Sequence, residues 1–260
     1  MQIAQYITDL TDAQWKLIEP MLHNPSKRGR PRTNPRRVIN AIFYILKGGV
    51  QWRLLPTTFP PWQTVYHIFR KWAVENVWSA LHNRLRALVR DSVGKRCRPT
   101  AAILDSQSVK SDAHGGEVGY DAAKCIKGRK RHLLVDTLGL ILGVRVTPAN
   151  VQDRAGAQLL LEDTLPWFSW LRKLWVDGAY TGDAFVRWVR ELRPKLEVEV
   201  VKRSDDVKGF AVLPRRWVVE RTFGWLMRQR RLARDYETTE TSAEAWIYIA
   251  MIRIQTRRLA

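Results

Sequence analysis

Ala101-Ala102-Ile103-Leu104-Asp105 and Lys173-Leu174-Trp175-Val176-Asp177 are the two stretches that decide the fold. Each is a short apolar run ending in a carboxylate, and such a run bounded by polar residues reads as a strand. Gly178 follows the second and turns the chain. Between them, His132-Leu133-Leu134-Val135-Asp136 and Leu140-Ile141-Leu142-Gly143-Val144-Arg145-Val146 give two more strands. Thr137-Leu138-Gly139 joins these as a hairpin. Helices are expected over 154–165, 183–192 and 215–229, and a fifth strand over 196–201, with a polar loop at 202–209. A last helix is expected from Thr241 or Ser242, where Thr241 and Glu244 stand in capping-box spacing.

Three strands, then helix, strand, helix, strand, helix is the element order of a ribonuclease-H-like domain, a mixed sheet with helices on its faces. Upstream the chain reads as all-α. Thr11 and Gln14 are spaced as a capping box before Trp15, Ile18 and Leu22, which share one helical face. Residues 25–35 form a basic linker rich in Pro and Gly. A second helix is predicted from Pro35, capped by Asn34, with Val38, Ile39, Ile42, Phe43 and Leu46 as its apolar face and Gly48-Gly49 as its stop. After Pro56, Pro60 and Pro61, a third helix sets Val65, Ile68, Phe69 and Trp72 on one face and Gln63, His67, Arg70 and Lys71 on the other. Trp78, Leu81, Leu85 and Leu88 mark a fourth. The expected organisation is a helix-turn-helix-like DNA-binding domain over 1–97, with the turn longer than usual, and an α/β catalytic domain over 98–260.

The 44 Lys and Arg against 25 Asp and Glu leave a net charge of +19. Residues 1–100 hold 17 basic and 5 acidic residues, +12, and the rest 27 and 20, +7. Such an excess favours a polyanion, because neutralised phosphates release condensed counterions. Membrane and ribosome surfaces have the same sign, so charge alone does not choose DNA. No apolar run approaches the roughly 20 residues a membrane helix needs, and Met1-Gln2-Ile3-Ala4 lacks a secretory signal's basic start. The expected location is the cytoplasm or nucleoid. Cys97 and Cys125 lie far apart outside any Cys/His cluster, which argues against structural zinc or a disulfide framework.

Asp105 and Asp177 end strands that are neighbours in such a sheet, and Glu220 lies on the helix after the fifth strand. They are 72 and 43 residues apart in sequence. Three carboxylates converging on one point suit Mg²⁺, or Mn²⁺, which prefer hard oxygen ligands. An Asp after a strand is also an ordinary turn-former. Glu220, beside Trp217, Val218, Val219 and Phe223, reads as a charge within an apolar face. Arg216 stands four residues before Glu220, equally suited to a salt bridge with it or to gripping a phosphate. Asn150 and Asp153 suit helix capping, with a pair supporting the acidic site as the alternative, and Asp136 suits a turn. Most tryptophans, Trp15, Trp72, Trp78 and Trp217 among them, sit at core spacing. Candidate DNA contacts are Arg30 and Arg32 in an AT-hook-like Gly-Arg-Pro core, Arg36, Arg37, Gln63, His67, Arg70 and Lys71, the run Lys127, Arg129, Lys130 and Arg131, and Arg216 and Arg228.

Seven segments together resemble the DDE transposases of bacterial insertion sequences, in particular the insertion sequence 5 group. They are Leu-Thr-Asp-Ala-Gln-Trp (10–15), Gly-Arg-Pro-Arg (29–32), Trp-Gln-Thr-Val-Tyr (62–66), Asp-Ser-Gln-Ser-Val-Lys (105–110), Gly-Arg-Lys-Arg-His (128–132), Asp-Gly-Ala-Tyr (177–180) and Arg-Trp-Val-Val-Glu-Arg-Thr-Phe-Gly-Trp-Leu (216–226). The resemblance implies that Asp105, Asp177 and Glu220 are the catalytic triad, and that terminal inverted repeats and target DNA are the substrates. It also implies a dimer or larger assembly on DNA. The chain departs from the family's glutamate motif, with Leu213 at the Tyr position and Met227 at the Lys position, followed by Arg228. A structure-specific nuclease and a non-catalytic DNA-binding regulator are the rival readings.

Overall fold

A computed structural model describes residues 6–22, 33–112, 116–201 and 216–260. Helix α1 (Asp12–Ile18) begins at the Thr11 capping box, both of whose hydrogen bonds form. Helix α2 (Pro35–Gly48) starts where Asn34 accepts from the amides of Arg36 and Arg37. It stops at Gly49, whose left-handed φ of 69° lets its N–H reach the Ile45 carbonyl. All five expected apolar-face residues of α2 are buried. Helix α3 (Trp62–Val74) buries Val65 and Phe69, and α4 (Val77–Ser92) buries Trp78, Leu81 and Leu85.

Strand β1 (Ala101–Lys110) is twice its expected length, so Asp105 lies mid-strand. A short β2 (Gly119–Asp121) precedes β3 (Ile126–Asp136), which begins six residues before its apolar stretch. These extensions pair with each other, Asp105 opposite Leu133 through Lys110 opposite Gly128, so antiparallel backbone bonding carries the ladder past the apolar code. Strand β4 (Ile141–Pro148) completes the hairpin, and Asp136 is its turn residue, accepting from the amides of Leu138 and Leu140.

Helix α5 (Asp153–Thr164), β5 (Lys173–Val176), α6 (Asp183–Leu192) and β6 (Glu197–Val200) follow close to expectation. After 202–215, which lie outside the described residues together with 23–32, come α7 (Trp217–Met227) and α8 (Glu240–Leu259). Helix α8 starts before Thr241, so the expected Thr241 cap is already inside it.

The sheet runs β2-β3-β1-β5-β6, with β4 on the free edge of β3. It is mixed: β1 is antiparallel to β3 and parallel to β5. Ala102 and Leu104 pack with Ala157, Leu160 and Leu161 of α5 and Phe185 and Val189 of α6. By strand alternation Ile103 and Asp105 lie on the other face.

Contacts divide the chain into two compact units, one of Met1–Gly94, Leu226–Ala233 and Thr241–Ala260, the other of Lys95–Trp225 and Arg234–Glu240. The last helix, expected with the catalytic domain, therefore packs with the N-terminal helices. Trp246 of α8 stacks on Phe69 of α3 at 4.8 Å. No helix among the described residues is long and apolar enough to cross a membrane.

Candidate active site

Strands β1 and β5 run in register, with Ala101, Ala102 and Ile103 opposite Lys173, Leu174 and Trp175. Asp105 and Asp177 each follow the last paired residues, Ile103 and Trp175, by two positions, and the two carboxylates are near enough for the charge of Asp177 to act on Asp105. Asp105 accepts from the Ser106 amide at 2.7 Å. Asp177 opens the turn after β5, accepting from the Ala179 amide at 2.8 Å. Burial pushes the Asp105 carboxyl up to about 7. The charge of Asp177 pushes the same way, opposed by the Ser106 hydrogen bond and by Arg216 and Lys124.

Glu220 lies in the first turn of α7 and points outward, with half of its side chain exposed. Val218 and Val219 turn inward instead, so the carboxylate does not sit within the apolar face as expected. Its tie to the aspartates is Arg216. One guanidinium nitrogen, Nη2, stands 3.4 Å from Glu220 Oε1 and 3.9 Å from Asp177 Oδ2. The salt bridge is thus the geometry observed for Arg216. Among the described residues no group of three His, Cys, Asp or Glu stands close enough to hold a metal ion. Asp177 and Glu220 share the Arg216 guanidinium, and the charges of Asp177 and Arg216 both act on Asp105. Asp105 and Asp177 are hard oxygen donors of the kind a divalent ion takes, and the charge of Asp177 penalises the anion of Asp105, a repulsion that a cation would relieve.

Behind the pair lies a buttress around Asp153, a residue suited to support as well as to capping, whose partners Ser106 and Lys130 were not expected there. Ser106 donates to Asp153 Oδ1 at 2.8 Å, and Lys130 Nζ reaches the same oxygen at 2.9 Å. Lys130 also donates to the Val151 carbonyl. Asp153 is the first residue of α5, whose cap is Gln152, so its side chain serves this network and not the helix end. Burial pushes its carboxyl up, but Lys130 and Ser106 outweigh that and hold it below its usual range. Tyr180 is buried (1% exposed), and its hydroxyl is held well above its ordinary pKa. Burial is the main cause, followed by Asp105, Asp153 and Asp177, which places this hydroxyl among three carboxylates. Ser106 and Tyr180 both lie inside motifs already singled out, one and three residues after the aspartates, and that proximity was the available signal.

The expected DNA contacts separate. Gln63, His67, Arg70, Lys71, Lys127 and Arg228 are exposed. Arg129, Lys130 and Arg131 are buried and are no surface for DNA, contrary to expectation. Arg129 donates to the carbonyls of Glu117, Glu237 and Thr238 and stands 3.7 Å from Asp235. Burial lowers Arg131 to about 10, opposed by Asp235. A run of four cations reads as a solvated face, but β3 is interior, and carbonyls distant in sequence satisfy Arg129. Arg36 is likewise engaged, 2.6 Å from Asp12 and donating to the Leu10 carbonyl. Arg37, exposed, donates to the Thr58 carbonyl. Arg30, Arg32 and Leu213 lie outside the described residues. Trp217 is 40% exposed, not core, and holds the Arg221 guanidinium over its ring at 4.5 Å. Both cysteines are free and exposed.

A family model described as "Transposase DDE domain" matches residues 96–254. A second, "Putative transposase of IS4/5 family (DUF4096)", matches residues 10–82. The chain is 31% identical over 117 residues to "Insertion element IS402 uncharacterized 16.2 kDa protein" of Burkholderia cepacia, a match covering 42% of this chain and 78% of that protein. It is 34% identical over 119 residues to "Putative transposase for insertion sequence element IS402" of the same organism, covering 42% of this chain and 54% of that one. No solved structure matches. With family models matching in sequence order over both the helical and the α/β parts, this chain belongs to the DDE transposases of insertion sequences.

Proposed function

We propose that this chain binds the terminal inverted repeats of its element and cuts and joins DNA with Asp105, Asp177 and Glu220 as the acidic triad. The α/β unit acts as a ribonuclease-H-like catalytic domain, and α2 and α3 act as a helix-turn-helix-like reader presenting Gln63, His67, Arg70 and Lys71. The observation that supports the reading is the parallel pairing of β1 with β5, two residues short of Asp105 and Asp177, together with the charge of Asp177 acting on Asp105.

Asp105 and Asp177 hold Mg²⁺ through carboxylate oxygens, and Glu220 joins them from the first turn of α7. Bound divalent ions supply activation of the attacking oxygen and stabilisation of the leaving one in an in-line phosphoryl transfer. In that role Asp105 would serve as a carboxylate, one of whose oxygens the Ser106 amide holds. Arg216 stands against Asp177 and Glu220, where its guanidinium would also be placed to pair with a phosphate beside the scissile bond. Two ends joined in one event call for a dimer or larger assembly on DNA, acting in the cytoplasm at the nucleoid.

The test is a strand-transfer assay with the inverted repeats that flank the reading frame. The chain is expected to join them to target DNA in Mg²⁺, and to bind but not cut in Ca²⁺. Cutting without joined product would instead make it a nuclease, and cutting in chelator would remove the metal from the mechanism.

A further inference from the structure

Arg253, on α8, is buried at 6% exposure, and no described residue hydrogen-bonds to or ion-pairs with its guanidinium. A buried cation with no partner among the described residues is an expensive arrangement that an anion would relieve. It opens onto a cavity of about 90 Å³ within the helical unit, where Arg257, Thr8, Thr11 and Thr256 also form the wall. Thr8 is buried (7%), and its hydroxyl has no hydrogen-bond partner. Thr11 accepts from the Gln14 amide, which leaves its own hydroxyl proton to donate. Asp9 is the single carboxylate in the wall, and it accepts from the Tyr6 amide. Two cations and two unspent hydroxyls around room for a few waters make a site for a phosphate, too small for a whole nucleotide.

The charge continues outside. Lys47 Nζ donates to the Arg228 carbonyl at 3.1 Å. Burial lowers the Lys47 ammonium, and Arg253, Arg257, Arg228 and Arg230 lower it further, with no acid among the causes. The helical unit carries 20 Lys and Arg against 6 Asp and Glu. We propose that this cavity seats one backbone phosphate of duplex DNA, paired with Arg253 and Arg257 and hydrogen-bonded by Thr8 and Thr11, with Lys47, Arg228 and Arg230 tracking the neighbouring phosphates. The proposal rests on the chain's being a DNA-binding transposase and adds a contact made by the C-terminal helix.

The experiment measures duplex affinity of the full chain against KCl concentration, for the parent, Arg257→Gln, Lys47→Gln and Thr8→Val. Arg257 is exposed and Thr8→Val is isosteric, so these variants are expected to fold, which melting checks. Each lost phosphate contact lowers the slope of log affinity on log salt by about 0.9, so Arg257→Gln and Lys47→Gln are each expected to show that drop. Thr8→Val should weaken binding severalfold with the slope kept. Folded variants with parental slopes and affinities overturn the proposal while leaving the transposase reading intact, since the parent still binds. A parent with no salt-dependent binding overturns both. Inorganic phosphate bound by the parent and lost in Arg257→Gln, with DNA binding unaltered, marks a small-anion site and overturns the DNA assignment.

Discussion

Asp105 keeps its proton to near neutral pH because enclosure and the charge of Asp177 both penalise its anion. The side chains behind it therefore matter as much as the acids themselves. Ser106→Ala removes the donor that fixes Asp153, and Tyr180→Phe removes the hydroxyl among the three carboxylates. Each is expected to weaken Mn²⁺ binding by roughly 10–100-fold, the usual effect of losing a group that supports metal ligands. Calorimetric titration with Mn²⁺ checks this, and parental affinity in both variants would show the buttress to be mere packing. His132 offers a pH test away from the acids. Its ring is fully buried, against Gly156 and Thr147, and burial lowers its pKa to about 4 from 6.5, with Asp153 opposing and Lys130 and Lys124 assisting. Above pH 6.5 the ring is neutral whether folded or unfolded. Between 6.5 and 4 only the unfolded chain takes up the proton, so stability falls with pH by at most about 3 kcal/mol and then levels off. Asp105, which takes up its proton only in the folded chain over the same window, acts with the opposite sign. In an Asp105→Asn background, therefore, urea midpoints at pH 7 and pH 5 should draw apart, and adding His132→Gln should close them up.

At the scale of elements, the legible features were those that local chemistry dictates. Asn34 and Gly49 bound α2 because a cap and a left-handed stop are written at its ends. The lengths of β1 and β3 were not legible, since Ser106 to Lys110 and Lys127 to Arg131 become strand only by pairing with each other. Nor was the burial of Arg129, whose acceptors at Glu237 and Thr238 lie more than a hundred residues away. The hairpin turn and α7 form a second long-range device. Arg221 donates to the Leu138 carbonyl, Thr222 donates to the Gly139 carbonyl, and Gly139 has φ 77°. A methyl group at Gly139 would meet Thr222 Oγ1 at 2.7 Å and the Trp225 ring at 3.1 Å. Gly139→Ala is therefore expected to lower stability by about 1–3 kcal/mol in urea unfolding. Cleavage should fall with it, because the helix being displaced carries Glu220. Full cleavage by a destabilised Gly139→Ala would uncouple the turn from the site.

Across the whole molecule, the division at 97 was read from the change of pattern, all helix before and strand after. That change marks where the sheet begins but not which unit the last helix joins. A chain's end can return to its start, and the buried faces of α8 are answered by α3 and the Trp52 turn. Trp246 lies 4.8 Å from Phe69 and 5.7 Å from Trp52. A fragment of residues 1–97 is expected to show no cooperative melt by circular dichroism, because it lacks that partner. A cooperative transition in it would mean that the N-terminal helices form a core by themselves. The helical unit also holds most of the excess positive charge, consistent with DNA being gripped there and cut at the sheet.

The most direct measurement is the cleavage rate of element-end DNA in Mg²⁺ for Asp105→Asn, Asp177→Asn and Glu220→Gln, alongside their DNA affinity. All three are expected to bind DNA like the parent and to cut at least about a hundredfold more slowly, since each amide keeps the shape and removes a charged ligand oxygen. A parental rate in any one of them would take that residue out of the triad, and a parental rate in Asp177→Asn would contradict the account at its centre.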